Sequence, residues 1–241
     1  SVAGFEALMR WQHPELGMLG PSEFIPLAEE SNLIADLGLF ALEEATQQLA
    51  EWQQSPRIRS QLFMTVNVSS RQLFRQDLIN DVKSVFLRSP VHPGSLKLEI
   101  TESLVMENPE YAAQILERLR DLGTGLALDD FGTGYSSLSY LQRFPFDTLK
   151  IDKSFVMNLN EDPEAAAIIK AVVGLGKSLG METTAEGVET LEQLKHLQSE
   201  GCTDIQGFYY SPARPNADVD PLLRGTLVEP KPNGLKELTY S

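Results

Sequence analysis

Ile34, Leu37, Ala41, Ala45, Leu49 and Trp52 recur at intervals of three or four residues, the spacing that gathers them on one face of an amphipathic helix. Other helices are marked by their ends. Asn108-Pro109 and Asp162-Pro163 each read as an N-cap followed by proline at the first helical position, where the missing N–H costs nothing, and Gly123 and Gly180 fall where those helices should stop. Thr190 and Gln193 form a capping box ahead of Leu191, Leu194 and Leu197, with Gly201 ending that helix. Between the helices lie short runs rich in β-branched and apolar residues, at 63–68, 96–100, 125–128, 148–151, 181–185 and 204–210, and residues 3–8 add a seventh. Strands alternating with helices at a rhythm of about 30 residues predict βα units and a parallel sheet.

The fold class that follows is α/β, a TIM-like (β/α)8 barrel. Such a barrel has eight strands and takes about 250 residues. The chain has 241 residues and shows seven strands, the first almost on top of Ser1, so the expectation is that the barrel's first strand is missing from this chain and lies upstream. Residues 1–215 are assigned to the barrel and 216–241 to a C-terminal helix, around 217–224, and an extended tail punctuated by Pro221, Pro230 and Pro232.

Charge narrows the chemistry. The 20 Lys+Arg against 34 Asp+Glu leave a formal charge of −14, and no run of Lys or Arg exists, which excludes a DNA- or RNA-polymer binder and a surface that grips anionic lipid through its bulk field. No stretch approaches the about 18 apolar residues of a membrane span, and no basic-then-apolar leader opens the chain. Cys202 is the only cysteine, so neither an internal disulfide nor a cysteine-based zinc site is available, and its Gly201 and Thr203 neighbours suggest packing. The expectation is a cytoplasmic domain with no membrane contact of its own, whether or not the full-length protein is membrane-anchored.

Glu6, Asn67, Glu99, Asp129 with Asp130, Lys150, Glu186 and Gln206 each stand near the C-terminal end of a different predicted strand. In a parallel barrel those ends meet at one mouth, where such barrels build their active sites. Any one of them alone could equally be a turn-former or an N-cap. Together, the carboxylates would repel one another unless cations neutralised them. Carboxylate and amide oxygens without a Cys or His cluster are hard ligands suited to Mg²⁺ or Mn²⁺, and His13, His92 and His196 lie in a turn, a loop and a helix with no catalytic role assigned. So acidic a cluster can hold two cations about 3.5–4 Å apart, a geometry that hydrolyses phosphodiesters.

Asp129-Asp130-Phe131-Gly132-Thr133-Gly134-Tyr135 is the most distinctive stretch, although Gly-x-Gly alone is common to many tight turns. Lys150 is either a rim lysine reaching solvent or, beside the acids, a charge that orients water and steadies a developing anion. Arg10 either binds a phosphate oxygen or closes a surface ion pair.

Taken in order, Glu6-Ala7-Leu8, Asn67-Val68-Ser69, Glu99-Ile100-Thr101-Glu102-Ser103, Asp129-Asp130-Phe131-Gly132-Thr133-Gly134, Lys150-Ile151-Asp152, Glu186-Gly187-Val188-Glu189 and Gln206-Gly207 resemble the signature of EAL-domain cyclic di-GMP phosphodiesterases. The resemblance implies a barrel enzyme that opens cyclic di-GMP to linear pGpG with two Mg²⁺ or Mn²⁺ ions and is inhibited by Ca²⁺. By the same resemblance Glu6, Asn67, Glu99 and Asp129 ligate the first metal, and Asp129 bridges to a second held near Asp130 and Glu186. Lys150 positions the attacking water, Gln206 supports the water or substrate network, and Glu186 acts as ligand or general base.

Leu8, Arg10 and Glu189 match substrate-binding positions, and Glu102 matches the glutamate that stabilises the loop after the Asp pair. That loop, 131–137, is tied by the resemblance to a homodimer and to coupling with regulatory domains in the full-length protein. Two departures stand out: the Tyr-Gln-Pro-like strand before the first motif is absent, and the Lys/Arg-Pro pair after Gln-Gly is replaced by Pro212-Ala213-Arg214-Pro215, which alters a guanine-side contact but not the metal site. The alternatives are a receptor of the same fold that binds cyclic di-GMP without cutting it, and an unrelated metal-dependent barrel hydrolase.

Overall fold

Parallel strands alternate with helices along the chain. A computed structural model describes residues 2–55, 58, 61–75, 77–133 and 138–223. The strands are β1 (Gly4–Ala7), β2 (Trp11–His13), β3 (Gly17–Leu19), β4 (Phe63–Asn67), β5 (Leu96–Thr101), β6 (Gly125–Phe131), β7 (Thr148–Ile151), β8 (Glu182–Ala185) and β9 (Asp204–Ile205). The helices are α1 (Pro21–Glu30), α2 (Ile34–Gln54), α3 (Ser70–Leu73), α4 (Leu78–Arg88), α5 (Glu102–Glu107), α6 (Pro109–Asp121), α7 (Leu138–Leu141), α8 (Lys153–Met157), α9 (Pro163–Leu179), α10 (Leu191–Glu200) and α11 (Asp220–Leu223).

Seven strands form one parallel sheet in the order β1-β4-β5-β6-β7-β8-β9, while β2 and β3 make a separate antiparallel hairpin. The sheet curls. Gln206, just past β9, donates to Glu6 Oε2 on β1 at 2.6 Å, so the first and last strands of the sheet meet at their C-terminal ends. This is a TIM-like barrel short of one strand, as the sequence predicts.

Strand alternation separates two environments. Leu96, Leu98 and Ile100 of β5, Leu126 and Leu128 of β6, and Leu149 and Ile151 of β7 are buried against the helices, whose apolar faces supply Leu42, Leu49, Ile115, Leu116, Leu119, Ile169 and Val173. Phe5 of β1 meets Trp52 of α2 at 4.9 Å between ring centroids. The opposite strand faces look inward and are polar. At the N-terminal end of the barrel the Lys97 ammonium lies 2.8 Å from Glu182 Oε2 and 3.0 Å from Thr148 Oγ1, and 4.4 Å from the centre of the Phe63 ring. These side chains form the floor of the barrel, at the end opposite the mouth.

The predicted helix ends hold. Asn108 accepts from Tyr111 N and Asp162 from Glu164 N, and Gly180 and Gly201 close their helices in the left-handed conformation. Three expectations are corrected. The run at 204–210 pairs only over Asp204–Ile205, because Gly207 turns the chain against the backbone of Val188. His13 lies in β2, its Nδ1 accepting from Glu15 N and Leu16 N at 3.1 Å, and the hairpin it belongs to is not predicted at all. The expected helix around 217–224 divides into a 3₁₀ turn at Asn216–Asp218 and α11; the tail beyond 223 lies outside the described residues.

Candidate active site

Each strand end contributes to the mouth. Glu6 stands on β1 one residue before its end, Asn67 ends β4, Glu99 stands on β5, Asp129 and Asp130 on β6 and Lys150 on β7, while Glu186 and Gln206 follow β8 and β9 directly. Asn67 Nδ2 donates to Glu6 Oε1 at 2.8 Å and Gln206 Nε2 to Glu6 Oε2. One carboxylate is therefore fixed by an amide on either side.

Asp129 and Asp130 need a special backbone to share the mouth, since adjacent residues of a regular strand point to opposite faces. The β6–β7 register shifts between Leu128 and Phe131, and Asp130 takes φ 54°. Asp tolerates this left-handed conformation better than most residues, because its short carboxylate bonds locally. The bulge lets Phe131 return to the apolar side, where it is buried, and keeps both acids near the mouth. Glu102 Oε2 accepts from Gly132 N at 3.1 Å, at the start of the following loop; residues 134–137 of that loop lie outside the described residues.

Lys150 is the electrostatic centre. Its side chain is 3% exposed, and its ammonium lies 2.5 Å from Glu186 Oε1, 2.7 Å from Glu99 Oε1 and 3.4 Å from Asp129 Oδ1. Burial lowers its pKa, but Glu99, Glu186, Asp129 and Glu6 together outweigh that and hold the ammonium above the ordinary lysine range. A single cation cannot balance all these acids. Burial, the larger cause, with repulsion from neighbouring carboxylates against the opposing pull of Lys150, pushes Glu99 up to about 8 and Glu186 up to about 7. Burial, then Asp129 and Asp152, raise Asp130 too, and Asp152 shares a side-chain hydrogen bond with it.

The donor atoms are of the kind that hard divalent cations take, although among the described residues no group of three or more Asp, Glu, His or Cys side chains is already placed to hold an ion. Glu99 Oε2 is buried without a hydrogen-bond partner among the described residues, and the available donors are carboxylate and amide oxygens. The protons on the raised carboxyls are what a cation would displace. A folded-state pKa above the unfolded value contributes stability at low pH that is lost as pH rises through the folded value. The metal-free protein is therefore expected to lose thermal stability as pH rises from about 4.5, the ordinary carboxyl value, to about 8, and Mn²⁺ to raise the melting midpoint more at the alkaline end. Thermal melts with and without Mn²⁺ across that range check this; a pH-independent Mn²⁺ increment would contradict it.

The structure thus brings Glu6, Asn67, Glu99, Asp129, Asp130, Lys150, Glu186 and Gln206 to one end of the barrel. Leu8 and Arg10 leave the end of β1 exposed, Arg10 Nη1 donating to Met9 O at 2.8 Å, and Glu189 is exposed after Glu186. The hydrogen bonds and ion pairs among described residues do not join these three side chains to the acidic cluster. Asp152 is the neighbour to which the sequence, although it shows the residue beside Lys150-Ile151, assigns no role. It caps α8, where it accepts from Ser154 N at 3.0 Å.

Comparison with known proteins bears on the chain and its fold. The EAL domain family model matches residues 1–213. A signaling protein of uncharacterized function from Caulobacter vibrioides is 48% identical over 225 residues, 93% of this chain and 27% of that protein. The bifunctional diguanylate cyclase/cyclic di-GMP phosphodiesterase MucR of Pseudomonas aeruginosa is 42% identical over 207 residues, 86% of this chain and 30% of that protein. The solved structure of PaMucR phosphodiesterase in complex with c-di-GMP has a TM-score of 0.81 at 42% identity, covering 84% of this chain and 81% of that one. The chain spans less than a third of the length of the two curated relatives.

Proposed function

Because this chain belongs to the EAL domain family, we propose that it hydrolyses cyclic di-GMP to linear pGpG by divalent-metal activation of water, lowering the level of a bacterial second messenger. The observation that carries this reading is the convergence of Glu99, Asp129 and Glu186 on Lys150, beside a Glu6 held from both sides by amides. Phosphodiesterase names among the relatives, MucR and the cyclic di-GMP phosphodiesterase PdeR of Escherichia coli, support the same chemistry.

Glu6, Asn67, Glu99 and Asp129 would hold one cation, with Asp129, Asp130 and Glu186 serving a second. When bound, two Mg²⁺ or Mn²⁺ ions supply an activated water and offset phosphate charge. Lys150 is a fixed donor at the mouth, positioned to orient that water and to steady negative charge developing on oxygen. Glu186, raised toward neutrality, is able to exchange a proton there, and Gln206 keeps Glu6 in place. Leu8, Arg10 and Glu189 on the exposed rim are the side chains offered to the dinucleotide, the guanidinium of Arg10 suiting a phosphate oxygen.

No helix among the described residues is long and apolar enough to cross a membrane, and a cytoplasmic setting with regulatory domains in a longer protein belongs to the same proposal. So does a homodimer.

The deciding experiment incubates the purified protein with cyclic di-GMP and Mg²⁺ or Mn²⁺, with a Ca²⁺ control, and follows products by chromatography. pGpG formed only with Mg²⁺ or Mn²⁺ is the expected result. Tight binding without product would replace it with a receptor of the same fold, and neither binding nor product would overturn the substrate class.

Asp130→Asn tests the second cation. Asn accepts the left-handed backbone at this position, so the thermal midpoint should move by no more than about 4 °C, whereas affinity for the second Mn²⁺ should fall at least about tenfold. A Mn²⁺ titration unchanged in both phases would contradict the assignment.

A further inference from the structure

We propose that Gln193 is a positioning residue of the mouth, fixing where Glu186 and Glu189 stand relative to Lys150; the activity arm of its test rests on the phosphodiesterase reading. Gln193 is the third residue of α10 and only 6% exposed. In a capping box the side chain at this position bonds back to the N-cap amide, a task that needs only its oxygen. Here Oε1 accepts from both Thr190 N, at 3.0 Å, and Glu189 N, at 2.8 Å. The other end of the amide is also used: Nε2 donates to Val156 O at 3.1 Å, in α8. Capping does not explain that bond.

The two anchorages lie on different mouth loops. Helix α8 begins two residues after Lys150-Ile151, with Asp152 as its N-cap. Glu189 ends the Glu186-Gly187-Val188-Glu189 segment that follows β8. Gly187, at φ 69°, presses this segment onto α8 so closely that a Cβ there would stand 2.7 Å from the Lys153 Cβ. On its other side the segment is tied to the loop after β9, Val188 N donating to Gln206 O at 3.1 Å and Val188 O accepting from Tyr209 N at 2.9 Å. The segments that follow β7, β8 and β9 are thereby laced into one body. The main chain makes the lacing to β9 and also the start of the tie to β7, Glu186 N donating to Ile151 O at 3.2 Å, whereas the far end of the segment, at Glu189 and Thr190, is tied to α8 through the Gln193 side chain.

A displacement of reacting groups by about 1 Å can cost about a hundredfold in rate, so a pin between the Lys150 and Glu186 loops has kinetic consequences. Gln193→Glu keeps the oxygen that receives the two amides but offers no donor to Val156 O. Gln193→Met keeps the reach and loses both bonds. Hydrogen exchange of the metal-free protein, Mn²⁺ titration and cyclic di-GMP kinetics on both variants form the test.

Gln193→Glu should exchange faster than wild type at 153–158 and 186–190 while the first turn of α10 stays protected; Gln193→Met should expose all three. Affinity for the Mn²⁺ served by Glu186 should weaken with the other ion unaffected, and turnover should fall about ten- to a hundredfold, more in kcat than in KM. Wild-type exchange at 153–158 and 186–190 in both variants, or equal weakening of both ions, would overturn the proposal. If Gln193→Glu fails to fold, Gln193→Met decides on the same readouts. Should the wild type show no turnover, exchange and Mn²⁺ binding still decide the role of Gln193, and only the phosphodiesterase reading falls.

Discussion

Lys150→Met is expected to reduce kcat by about a thousandfold while leaving Mn²⁺ affinity intact or improved. The side chain is buried, and its ammonium is the shared partner of Glu99, Glu186 and Asp129. Methionine matches its length but removes the only positive charge among these acids, and with it the donor that would orient water. Divalent cations, no longer repelled by the ammonium, meet a more negative site. Stability should move in the opposite sense to metal affinity. Removing one partner of a buried ion pair costs about 3–5 kcal/mol, and here the cost should be smaller at low pH, where Glu99 and Glu186 take up protons instead. Steady-state kinetics, Mn²⁺ titration and thermal melts at acidic and alkaline pH check the three parts separately; turnover within tenfold of wild type would remove Lys150 from the mechanism.

Glu6→Ala is expected to bring cyclic di-GMP hydrolysis below detection. Glu6 receives Asn67 and Gln206 and would ligate the first cation through its remaining lone pairs. Loss of metal activation is worth several kcal/mol in the transition state, about a thousandfold or more in rate. The fold should survive, because the two amides set free lie near the mouth within reach of water; the stability loss should be about 1–3 kcal/mol. Measurement of kcat/KM beside a Mn²⁺ titration tests both statements, and near-normal turnover would sink the proposed site.

Much of the scaffold is legible in the sequence because its signals are local. Asn108, Asp162 and Thr190 cap helices with their own side chains, and the glycines that stop them need no distant partner. The strand-end acids are legible for a related reason: in a parallel barrel, position along a strand dictates the end at which a residue emerges. What escapes depends on contacts remote in sequence. The run at 204–210 is apolar enough to read as strand, yet it ends at Ile205 because Val188 occupies the space beside Gly207. The β2–β3 hairpin has strands of three residues with Trp11 and Gln12 exposed, too short and too irregular for a period-two pattern.

Asp130 is a subtler case. Period-two alternation sends it away from Asp129, and only the bulge restores it to the mouth. Gln193 reads as an ordinary cap until Val156, 37 residues away, is seen to take its other end. Lys150 could not be placed between rim and interior from its neighbours alone, since its partners are Glu99 on β5 and Glu186 just past β8.

The cluster of Phe63, Lys97, Thr148 and Glu182 stands at the opposite end of the strands from the acids around Lys150. Among the hydrogen bonds and ion pairs of the described residues no side chain joins the two clusters, so a substitution in one leaves the partners of the other in place. An exchange at the floor should therefore be felt in stability alone, and an exchange at the mouth in stability and chemistry together.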